Sequence, residues 1–181
     1  MDKEGKEGSF TPLLIVMLFS LAIASLWNRF PMIKDNVHKI LDPSAGLLLE
    51  WNIMYGFLIL VLILTVITTL AQKIFTDQET LRELKQQQKE LNKQSKELRH
   101  DPEKMLEINK QAAPLAMKMM KLSMRPVIFT GIPFILFFRW FMDIFTALGN
   151  PKFLGFLSWF WFYLIASLIF GSILRKVLKV A

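Results

Sequence analysis

The sequence predicts an all-α fold: a polytopic membrane helix bundle with a three-span core, an extra N-terminal anchor span and a cytosolic antiparallel coiled-coil hairpin. Three observations carry this. Hydrophobic residues make up 53% of the 181 positions and include 16 Phe and 5 Trp. They gather in four runs nearly free of charge, Phe10–Trp27, Ile53–Ala71, Pro126–Phe145 and Phe153–Leu174. Most of the charge sits in one middle segment instead. A helix of ~20 residues covers the ~30 Å hydrocarbon core, and each run is about that long. Lipid offers no partner to backbone N–H and C=O groups, so the runs must be helical. The same composition argues against a soluble enzyme domain, a disordered chain and a secreted disulfide scaffold, since there is no Cys.

Taken in order, the domains are 1–28, an anchor span; 29–50, an outer amphipathic segment; 51–75, a core span; 76–122, the hairpin; and 123–181, two core spans with a short basic tail. Of the 22 Lys and Arg, 17 fall in the N-terminus, the 73–125 stretch and the C-terminal tail. The positive-inside bias therefore puts both termini and the hairpin in the cytosol. Trp27, Trp51 and Trp159 stand near span ends, where interfacial aromatics are common. Lys3 and Lys6 ahead of an apolar core, with Ala22-Ile23-Ala24, also fit a cleavable signal peptide, which would leave three spans in the same orientation. The apolar run continues to Trp27, which favours an uncleaved anchor.

In the outer segment Ile33, Val37, Ile40 and Leu41 share one helical face. They predict a short helix lying on the membrane surface or packed on the bundle, ended by Asp42-Pro43. In the middle segment Leu81, Leu84, Leu91 and Leu98 follow heptad spacing, with Gln88 and Ser95 at the other seam positions. Met105, Ile108, Ala112, Leu115, Met119 and Leu122 repeat the spacing. His100-Asp101-Pro102 breaks the helix between them, Asp101 being placed to cap the return helix with Pro102 at its first position. So short a turn predicts antiparallel packing, and Pro114 predicts a kink.

The motifs offer no bond chemistry. There is no glycine-rich phosphate loop, no paired-His zinc motif and no nucleophile elbow, so neither a catalytic residue, a metal site nor a cofactor is expected. The polar residues within the spans say more. Thr65, Thr68, Thr69 and Gln72 form a stripe on the inner half of span two and end at Lys73; the outer half, residues 53–64, has none. A polar face that stops mid-membrane suits a groove open to the cytosol, with Lys73, Lys121 and Arg125 as cations at its mouth. The plainer alternative is that the threonine hydroxyls bond to carbonyls of their own helix. Arg139 and Asp143 stand i, i+4 on span three, as a self-neutralising intramembrane pair or as part of the groove. Met117, Met120 and Met124 lie beside the membrane, where flexible thioethers suit varied apolar segments.

This order of parts, an outer amphipathic segment, a span, a cytosolic helical hairpin with a Met-rich return, and two more spans, resembles the Oxa/YidC/Alb superfamily of membrane protein insertases. It is most similar to small archaeal YidC-like proteins, related to the insertase subunit of the ER membrane complex, over residues 50–174. The resemblance implies an insertase and chaperone of the archaeal plasma membrane, working without bond chemistry. Nascent membrane proteins would be its partners, along with the bilayer, the ribosome and a partner subunit, but not DNA. The bacterial relatives carry an arginine on the first core span; here that span offers Thr65, Thr68, Thr69, Gln72 and Lys73. Two other classes compete: an ion channel or transporter subunit, and a membrane-anchored coiled-coil scaffold.

Overall fold

The computed structural model describes residues 10–98 and 101–180. Its helices are α1 (Phe10–Leu26), α2 (Pro31–Leu41), α3 (Leu47–Trp51), α4 (Ile53–Phe75), α5 (Gln78–Glu97), α6 (Pro102–Ala147) and α7 (Trp159–Leu178). The described residues form no named strand. α4, α6 and α7 are each long and apolar enough to cross a bilayer. α1 has 17 residues, about 26 Å at 1.5 Å per residue. It counts as a fourth span when taken with Pro31–Trp51, from which it is bent by 94°. That right-angled turn lays α2 and α3 across the end of the bundle remote from the α5–α6 hairpin. Val37 and Leu41 pack against the core, while Ile40 is 69% exposed.

The helix does not end at Asp42-Pro43. Residues Asp42–Gly46 form a π-helical turn that leads directly into α3. Proline clashes with the carbonyl four residues back in an α-helix, and the wider π turn relieves that clash. The turn also brings Ala45 and Leu49 into the core. α3 then approaches α4 so closely that a Cβ on Gly56 would lie 1.9 Å from the Leu48 carbonyl oxygen. Asn52 starts α4 by accepting the Met54 and Tyr55 backbone N–H groups at 3.0 Å, the satisfaction that an N-terminal turn needs.

The returning arm of the hairpin and the third apolar run are one helix, α6, which passes through Pro114, Pro126 and Pro133. Asp101 caps it, accepting the Lys104 N–H at 3.2 Å, with Pro102 in the first turn. In the hairpin, Leu81, Leu84, Ile108 and Leu122 are buried. Toward the tip Leu91, Ser95, Leu98 and Met105 are only partly so. At the base, Arg82 donates from Nη2 to the Lys179 carbonyl at 2.6 Å, tying the hairpin to the end of α7.

The core sits in the half of the bundle remote from the hairpin and is built of rings. Phe57 is fully buried and meets Phe141, Phe145, Phe153 and Phe162 at centroid distances of 5.2, 4.8, 5.2 and 5.8 Å. Phe153 is delivered by a tight turn between α6 and α7, in which Phe153 and Leu157 exchange backbone hydrogen bonds of 2.7 and 2.9 Å. Edge-to-face and offset contacts of this kind suit the aromatic quadrupole. α1 lies along α6, with Val16 at Gly131 and Trp27 at Asp143, so the two helices run in the same direction. Trp27, at the end of this helix pair, is turned into the protein and is 0% exposed.

Candidate functional site

α4 packs along both α6 and α7, yet α6 and α7 do not lie alongside one another. Ring contacts join them near their connecting loop: Phe134 to Tyr163, Phe138 to Trp159, Phe160 and Tyr163, and Phe141 and Phe145 to Trp159. No ring contact joins them on the hairpin side of Phe134 and Tyr163 among the described residues, which points to a wedge there with α4 as its floor.

Helical geometry says which α4 residues meet that wedge. Phe57 and Phe75 contact α6, the latter stacking on Phe129 at 4.0 Å. Thr65 faces α7, its methyl carbon 3.7 Å from where a Cβ on Gly171 would stand. At ~100° per residue, Phe75 lies about 80° from Thr65 around the axis, and Thr68 and Gln72 fall between them. Both are only partly buried, although they lie between two packed faces.

The stripe is therefore divided. Thr65 and Thr69 are 6% and 3% exposed and lie under α7. Their hydroxyls donate to the Val61 and Thr65 carbonyls at 2.6 and 2.7 Å. Thr68 donates to Leu64 and Thr65 carbonyls at 3.0 Å. Bonding back to the i−4 carbonyl is how a hydroxyl is satisfied inside a membrane helix. Lys73 is exposed and projects about 100° away from Gln72, off the wedge. Lys121, Arg125 and Met124 are partly buried near the hairpin base. Met117 and Met120 are 56% and 50% exposed.

Arg139 and Asp143 do not pair. Asp143 is taken by residues far away in sequence: Trp27 Nε1 donates to it at 2.8 Å, Lys34 Nζ lies 3.1 Å from it, and His38 Nε2 3.3 Å. His38 Nδ1 in turn lies 3.1 Å from Asp42, which accepts the Trp140 Nε1–H at 2.7 Å. The arrangement clasps α2 to α6. The i, i+4 spacing lets Arg139 reach Asp143, but the fold brings an ammonium, an imidazole and an indole N–H to the carboxylate first. Sequence reading missed Lys34, His38 and Trp27 as partners, because each stands more than a hundred positions from Asp143. The one local signal was a lone carboxylate in an apolar run.

Among the described residues no group of three or more His, Asp or Glu is placed to hold a metal ion. The polar wedge holds hydroxyls and an amide, groups that hydrate and form hydrogen bonds and supply no evident nucleophile–base pair. What the fold and wedge define is a multi-pass helical membrane protein with a ring-packed half and a polar, open half. Residues 40–153 match the family described as integral membrane protein EMC3/TMCO1-like. The chain belongs to that family, which lies within the Oxa/YidC/Alb superfamily of insertases and is linked to membrane protein insertion. No curated protein and no solved structure matches the chain.

Proposed function

We propose that the chain guides nascent apolar segments into the bilayer through the wedge between α6 and α7, which opens on the cytosolic side in the orientation set by the positive-inside bias. Both termini and the hairpin are then cytosolic, and the membrane is the plasma membrane, as for the archaeal YidC-like proteins it resembles. The observation that carries this reading is that α6 and α7 both pack on α4 but scarcely on each other, beside the partly exposed Thr68 and Gln72. Moving a hydrophilic flank through ~30 Å of hydrocarbon is costly, and a polar recess reaching part of the way shortens that path. Thr68 and Gln72 hydrate the recess, while Thr65 and Thr69 hold α7 against α4. Lys121 and Arg125 draw acidic flanks to its mouth. Met117, Met120 and Met124 receive the apolar segment. A partner subunit would cover the open side, and the basic hairpin would face the ribosome. A channel is less well supported, because the ring-packed half gives one copy no continuous polar path.

Site-specific photocrosslinking tests this. A photoreactive residue replaces Thr68 or Met120, with Ile59, in the opposite half of α4, as control. Ribosomes stalled on a short membrane protein are supplied. Adducts at Thr68 and Met120, formed only while the nascent span emerges, are expected. Their absence at both positions, with ribosomes demonstrably on the membrane, refutes the wedge as the route.

A further inference from the structure

The clasp around Asp143 leaves a cation behind. Arg139 lies one helical turn from Asp143, toward the middle of the span, and its guanidinium faces no carboxylate among the described residues. Nε is buried with no hydrogen-bond partner. Nη1 reaches the Met142 sulfur at 3.5 Å, a weak acceptor. The guanidinium carbon stands 5.7 Å from the centroid of the Trp27 ring. That stacking holds the group in place without satisfying its N–H donors. An arginine cannot shed its proton as a lysine can, so five donors and a full charge must find acceptors.

The depth of the site says which acceptor. α2 runs across the bundle end at a right angle to α1, and its Lys34 and His38 meet α6 at Asp143. An amphipathic helix in this attitude marks the boundary between headgroups and acyl chains. Arg139 is four residues deeper, about 6 Å along the axis. Its long side chain spans that distance by reaching toward the interface. The groups at that level that match its planar fork are phosphate oxygens.

From this we infer that Arg139, held on Trp27 beside Met142, is a binding site for the phosphodiester of a membrane lipid in the leaflet on the α2 side. Met142, 48% exposed, supplies the apolar wall for the upper acyl chains, the buried Trp27 ring backs the guanidinium, and the guanidinium supplies the fork for the phosphate. A lipid bound there would seal the seam between α1 and α6.

The test is native mass spectrometry of the full chain released from nanodiscs. The nanodiscs hold phosphatidylglycerol, phosphatidylcholine and diacylglycerol. Wild-type protein is expected to retain one phosphodiester lipid of either headgroup and no diacylglycerol. Arg139→Leu is expected to lower that retention by roughly tenfold, which corresponds to about 1.4 kcal/mol. Arg139→Lys, which keeps the charge without the fork, should fall between. Equal retention by wild type and Arg139→Leu overturns the proposal, as does equal retention of diacylglycerol. An adduct of added inorganic phosphate formed in place of the lipid overturns the lipid assignment. If Arg139→Leu fails to fold, the wild-type preference for phosphodiester over diacylglycerol decides by itself.

Discussion

Replacing Phe57 by alanine probes the ring-packed half most directly. The side chain is fully buried and touches four other rings. In a soluble protein the loss would combine a transfer term with a cavity term. Lipid tails are as apolar as the core, so the transfer term largely drops out here. A void of roughly 100 Å³ at ~24 cal/mol per Å³ costs about 2.4 kcal/mol if the walls stay put. Ring pairs contribute about 0.5–1.5 kcal/mol each beyond burial, and all four that Phe57 makes are lost, while the pairs among the remaining rings persist and those rings can relax into part of the void. The expected total is about 3–5 kcal/mol, the usual cost of a buried Phe→Ala change, and Phe57→Leu should cost about a third of that. The assay is reversible unfolding in mixed micelles with rising denaturing detergent. Ile59→Ala, on the exposed face of the same helix, serves as control. A Phe57→Ala cost below about 1 kcal/mol, or one no larger than that of the control, would refute the cavity argument.

Three further outcomes are expected. Gly56→Ala should disrupt the α3–α4 junction, since its Cβ would meet the Leu48 carbonyl oxygen at 1.9 Å and that atom is backbone; faster hydrogen exchange over residues 47–56 would report it, and unchanged exchange would contradict the close approach. Asp143→Leu should free α2, with amide exchange across residues 31–41 rising while α4 is unchanged. Losing hydrogen bonds to charged groups is worth about 1.5–3 kcal/mol, or roughly tenfold or more in local opening; protection of α2 equal to wild type would show that Val37 and Leu41 alone hold it. The Asp101 carboxyl is held below its ordinary value of 3.8, first by the Lys104 backbone N–H and then by the Lys104 side chain. A depressed carboxylate stabilises above the unfolded-chain value and loses that contribution as pH falls through its folded value. Protection of the first turn of α6 should therefore hold at neutral pH and fall below about pH 4, and Asp101→Ala should abolish that dependence.

Much of this architecture is written in local pattern. Charge-free runs of about twenty residues dictate helices in lipid, because backbone groups there must pair within the segment. The heptad leucines from Leu81 onward, and Asp101 ahead of Pro102, mark a helix, a break and a cap, each decided by neighbours in sequence. The amphipathic face of residues 33–41 is likewise a local periodicity. Those signals place the spans, the hairpin and the stripe from Thr65 to Gln72.

Pairing across the chain is another matter. Three donors from residues 27, 34 and 38 converge on Asp143, and no i, i+4 rule can weigh them against Arg139. The run of α4 residues that reads as one polar stripe is split by its neighbours: α7 covers Thr65 and Thr69, while Thr68 and Gln72 stay in the wedge. The π turn at Asp42–Gly46 carries the chain past a proline that by itself signals a stop, because α3 has core to bury. Sequence determined which segments are helices and which of their faces are polar. Only the tertiary structure decided which polar groups meet each other and which are left open, since contact between distant segments depends on how whole helices pack.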